Sequence, residues 1–127
     1  MAEAIGSKEF VGDGRGPELV RLCWSADGRT LLAAEYRNPS GASPWHVAFK
    51  DTQVVMITPE EVVGDVASLP NAGAYAVSLG RSPWLVSFQQ THLERCEHYR
   101  FVFYDETVDV ICEGVRFQPG SFVEAVA

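Results

Sequence analysis

Three side chains with metal-binding or nucleophilic chemistry crowd into seven residues: His92, Cys96 and His98. A thiol and two imidazoles can ligate zinc, and a thiol beside an imidazole is also a nucleophile beside its base. If 92–97 winds as a helix, His92 and Cys96 share one face at i, i+4, and His98 follows at the start of a strand. Zinc would still need a fourth ligand, with Cys112 or Glu94 the available choices. The set matches no pair of Cys-x-x-Cys motifs. A thiol nucleophile would also need a lowered pKa, an oriented imidazole and an oxyanion hole. The residue types are present without that context. Cys96 therefore reads as a packed thiol, no catalytic residue is assigned, and no metal or cofactor is expected.

Carboxylates pair at Glu60-Glu61 and Asp105-Glu106, with Asp109 close by. The first pair falls in the first turn of a predicted helix, where the helix dipole favours anions. The others fall at a turn and on the outer face of a strand. Arg100 reaches Asp109 diagonally across a hairpin, as a surface pair worth at most about 1 kcal/mol. Structural roles account for these acids without general acid–base work. Val11-Gly-Asp-Gly-Arg-Gly16 has the glycines of a phosphate loop but lacks its Lys-Ser/Thr and a following helix. It reads as part of a flexible leading segment over 1–17, in which Ile5 to Val11 can add a short edge strand.

The elements that hold these residues follow from period-two alternation. Tyr99, Phe101 and Phe103 alternate with His98, Arg100, Val102 and Tyr104; Val108, Val110 and Cys112 alternate with Asp109 and Ile111. A two- or four-residue turn between them puts both apolar sets on one face and Cys112 opposite Tyr99. Asp27-Gly28 closes a hairpin between 19–24 and 30–36. Its string Trp24 to Leu31 is similar to the inner hairpin of a propeller blade, but it occurs once, so turn chemistry explains it. Asp51-Thr52 is predicted to pair Trp45, Val47 and Phe49 with Thr58, Met56 and Val54. Thr58-Pro-Glu-Glu61 caps a short helix whose apolar stripe is Val62, Val63, Val66 and Leu69, ended by Pro70-Asn-Ala-Gly73. Tyr75, Val77 and Leu79 are predicted to face Phe88, Val86 and Trp84 across a hairpin, in preference to a helix starting at Ser82-Pro83. Thr91 to Glu94 supplies a second helical turn, and 118–127 a loose tail. Ser-Pro-Trp-x-Val-x-Phe occurs at both 43–49 and 82–88. The shared pattern is read as two hairpins drawing similar residues.

The sum is one mainly β (α+β) domain over 1–127. It is an antiparallel meander of about eight strands, curled or closed into a barrel, with one short central helix. A chain of 127 residues and net charge −7 is large enough to bury a core without metal or disulfide. No cluster of Lys or Arg offers a phosphate-binding face, so neither nucleic acid nor a membrane is an expected partner. Three cysteines and no leader pattern read as reduced thiols in the cytoplasm.

Function is read from the second faces of the strands. Val102, Tyr104 and Ile111 on the last hairpin, and Val55 and Ile57 on an earlier one, would point outward with too little helix to cover them. Strands apolar on both sides are covered or are interfaces. The expectation is a protein-interaction module acting through a sheet face or edge. Such a module could be a small acidic inhibitor of the immunity type or a homodimer. The alternative is a small-molecule-binding barrel with Trp45 and Trp84 at its mouth. The third reading is a thiol or zinc site at 92–98.

Overall fold

A computed structural model describes residues 2–39, 41, 43–63 and 74–124. The mainly β, antiparallel reading holds, with nine strands in two sheets. Strands β1 (Glu3–Ala4), β6 (Ala76–Gly80), β7 (Glu97–Val102), β8 (Glu106–Cys112) and β5 (Val54–Pro59) form the first sheet in that order. Strands β2 (Glu18–Trp24), β3 (Leu31–Arg37), β4 (Trp45–Lys50) and β9 (Gly114–Pro119) form the second. Helical pieces are α1 (Glu60–Val63), α2 (Pro83–Ser87) and a 3₁₀ turn over Thr91–Arg95. The helix predicted to run on to Leu69, with its stop at 70–73, lies outside the described residues beyond Val63. Among the described residues no helix is long and apolar enough to cross a membrane.

The two sheets are joined at a corner. Chain 45–59 crosses from the second sheet to the first at 51–53, and chain 106–119 crosses back at Glu113. β4 pairs with β9 and β5 with β8. Hydrogen bonds continue through the bend, from Glu113 N–H to the Lys50 carbonyl (2.8 Å) and from Gln53 N–H to the Ile111 carbonyl (2.8 Å). Asp51 takes a left-handed φ of 51° there. The predicted hairpin of 45–50 with 53–58 is thus corrected: the two strands flank a corner and do not pair. The three-residue crossing shifts the phase, so Val55 and Ile57 face inward opposite Val110 and Val108, while Val54, Met56 and Thr58 face out.

Aromatic side chains fill the space between the sheets. Phe10, only 2% exposed, lies at ring distances of 4.7 Å from Tyr36, 5.2 Å from Phe103 and 5.7 Å from Phe101. The leading segment read as flexible therefore carries a central core residue. Tyr36 donates its hydroxyl to the Glu9 carbonyl at 2.8 Å. A Cβ at Gly16 would collide with the Val102 carbonyl oxygen, so only glycine lets this segment pass so close to β7. The aromatic side chains pack into one core cluster between the sheets. Trp45 packs half-buried against this core opposite Pro119 in the second sheet. Trp84 stands on α2 against the first sheet, so the two tryptophans do not share a mouth.

The predicted hairpin of Tyr75–Leu79 with Trp84–Phe88 is also corrected. Ser82 caps a helix: its Oγ accepts the Leu85 N–H at 3.2 Å, and Pro83 opens the first turn. A strand would have buried Val86 and Phe88; they are 52% and 37% exposed, and Leu85, between them in phase, is 1% exposed. The two copies of Ser-Pro-Trp-x-Val-x-Phe thus form a strand at β4 and a helix at α2.

Candidate functional site

Two regions of the first sheet carry features that the fold alone does not require. One is the edge at β5. The Glu60 N–H donates to the Asp105 carbonyl at 2.8 Å, in register with the β5–β8 ladder. Antiparallel pairs alternate between bonded and non-bonded. Val54, Met56 and Thr58 therefore spend their backbone groups on β8, and those of Val55 and Ile57 point away from the sheet. Among the described residues no strand takes them, because β5 ends its sheet. β5 has no charged side chain, and Met56 and Ile57 are 41% and 47% exposed. Its far end is acidic. Glu60 and Glu61 open α1, and Asp105 and Glu106 close the β7–β8 turn beside Pro59. Arg15 offsets part of this charge, reaching Glu60 at 2.8 Å and Asp105 at 3.4 Å. Burial, and then Asp105, push the Glu106 carboxyl above its usual range.

The predicted outward residues divide. Tyr104 is exposed at 47%, with the Arg15 guanidinium 3.8 Å above its ring. Val102 is half-buried on the outer face. Val55 and Ile57 reach the surface from the inner face because β5 is an edge strand. Ile111 is corrected: it is fully buried, under Leu85, Leu93 and Cys96. The helical segment misread as a strand is what covers it.

The second region lies beneath α2. His98 sits on the outer face of β7 and is 3% exposed. Its Nε2 lies 2.6 Å from Asp109 Oδ1 on β8, and its Nδ1 lies 2.8 Å from Ser82 Oγ. Arg100 Nε donates to the same Asp109 oxygen at 2.9 Å. An ionised Asp109 can only accept, so in the neutral imidazole Nε2 carries the proton and Nδ1 accepts from the Ser82 hydroxyl. Ser82, His98 and Asp109 are the residue types of a hydrolase triad, but the ring nitrogens are exchanged: there Nε2 faces the serine and Nδ1 the acid, and here the reverse. The Ser82 hydroxyl donates to His98 and accepts from Leu85, so both of its roles serve the fold. Trp84 meets the His98 ring edge-on at 4.8 Å.

The cluster at 92–98 does not assemble as a metal site. His92 is exposed on the 3₁₀ turn, where residues four apart leave a common face. Cys96 is buried with Leu85 and Leu93, and its burial raises the thiol pKa. Cys112 is fully buried and pushed up to about 12, chiefly by burial. Among the described residues no three His, Cys, Asp or Glu side chains come together as ligands.

Sequence reasoning missed Ser82 and Arg81, and misjudged Asp109. It put the Arg100–Asp109 pair diagonally across a surface; the two are directly opposite, and Asp109 is 2% exposed. The helix-start signal Ser82-Pro83 would have put Ser82 over β7. No protein-family model, no curated protein and no solved structure matches the chain.

Proposed function

We propose that the chain is an interaction module that binds a basic protein by accepting one of its strands onto the free edge of β5. The observation that carries this reading is the edge itself: six uncharged residues, with Val55 and Ile57 presenting backbone donors and acceptors outward. Sheets ordinarily blunt such edges with charge, proline or a bulge. Within β5 itself Pro59 at the end is the one such device. Strand addition gives affinity through main-chain bonds and specificity through side-chain contacts. The partner's charge follows from the acids at 60, 61, 105 and 106 and from the net charge of −7. Those charges steer a basic surface in and hold two copies of this chain apart.

The test is a benzophenone amino acid placed at Ile57, photolysed in the host cell, with the same group at Val20 on the edge of β2 as control. One adduct with a basic protein, formed at 57 and absent at 20, supports the proposal. Equal adducts at both positions, or none at 57, refute it. An adduct of twice the chain mass replaces it with a homodimer.

A further inference from the structure

We propose that the cavity between α2 and the outer face of β6–β7 is a binding site for a small organic monoanion, a carboxylate on a flat apolar body. It is independent of the β5 edge. The cavity has a volume of about 380 Å³, within the range of small-ligand sites. Leu79, Pro83 and Trp84 supply apolar wall, and Arg81 and Arg100 supply the polar side. The chain holds 17 acids and 10 Lys and Arg, yet among the described residues two arginines and no acid line this space. Both guanidiniums are held in place. Arg81 Nη1 donates to the Leu93 carbonyl at 2.9 Å, and Arg100 Nε donates to Asp109 at 2.9 Å. Arg100 keeps four N–H donors on Nη1 and Nη2, the fork that matches a carboxylate. Counting Asp109 against the two arginines leaves one positive charge, which suits a monoanion better than a dianion such as phosphate. The Trp84 indole, braced edge-on by Phe88 at 5.8 Å and His98 at 4.8 Å, offers a flat apolar surface to the rest of the ligand.

The test titrates ¹⁵N-labelled protein with benzoate and follows the indole N–H signals of Trp24, Trp45 and Trp84. The Trp84 signal should shift saturably while the other two stay fixed. Benzyl alcohol, with the same ring and no charge, should bind at least tenfold more weakly. Inorganic phosphate should also bind at least tenfold more weakly. Arg100→Gln should lose at least tenfold in benzoate affinity. A Trp84 signal that does not move overturns the proposal. So does benzyl alcohol or phosphate binding as tightly as benzoate. A folded Arg100→Gln variant with unchanged affinity overturns it as well. If that variant does not fold, the ligand comparison on the native chain decides alone.

Discussion

Replacing Asp109 with Ala should destabilise the protein by about 3 kcal/mol. The Asp109 carboxylate is 2% exposed and one of its oxygens accepts from both His98 Nε2 and Arg100 Nε. At an effective dielectric of about 20, a charge pair near 3 Å has a gross attraction of roughly 5 kcal/mol. Part of that is recovered, because the Arg100 side chain is 27% exposed and can turn to water. His98 cannot, since its side chain is 4% exposed, and a stranded buried N–H costs about 1–3 kcal/mol. An alanine offers no acceptor to either donor, and both aim at the one oxygen that is lost. For 127 residues the unfolding entropy of about 2.1 cal/mol/K per residue converts 3 kcal/mol to a fall in Tm of roughly 11 °C. The assay is urea and thermal unfolding of Asp109→Ala, Arg100→Gln and the double variant. The double-mutant cycle should give a coupling above about 1 kcal/mol. Asp109→Ala within about 1 kcal/mol of the native chain would refute the buried network.

Other outcomes follow from the same packing. Leu85→Ala should cost about 2–5 kcal/mol and Val86→Ala under about 0.5 in urea unfolding, because α2 buries the first and exposes the second; a reversed order would mean that 83–87 is a strand. Phe10→Ala should cost about 3–5 kcal/mol, whereas a near-native midpoint would place the leading segment outside the core. Glu35 is 4% exposed and accepts from Arg21 Nη2 and the Phe122 N–H, both at 2.8 Å. The Arg21 hydrogen bond is the largest of the causes that hold its pKa below the usual carboxylate range. Its contribution is therefore full above the unfolded value of about 4.3 and is lost as pH falls through the lower folded value. Urea midpoints from pH 2 to 6 should fall less steeply for Glu35→Gln than for the native chain, and parallel curves would contradict this.

The elements legible in the sequence were those whose pattern and turn chemistry agreed. Asp27-Gly28 closes β2–β3, and Gly28 takes the positive φ of 72° that the turn needs. The alternation of 99–103 and 108–112 gave the right face for β7 and β8. Their partners slipped by two, because the turn centres on Tyr104-Asp105 and sets Tyr99 opposite Val110. Parity survives a two-residue slip. It does not survive the odd crossing at 51–53, which inverted β5. The repeated heptapeptide misled because its shared residues fit either geometry. The unshared ones decide: Leu85 adds the apolar phase of a helix, where β4 has His46. Phe10 stands alone in a glycine-rich stretch, with no period to announce it. The Ser82–His98–Asp109 chain joins three elements, and it forms only once α2 lies over β7.

Amide hydrogen exchange across β5 in the isolated, dilute protein tests the open edge most directly. Val55 and Ile57 should exchange much faster than Val54 and Met56, whose N–H groups are bonded to β8. Equal protection along the strand would mean that the edge is already occupied, and it would contradict the proposed docking site.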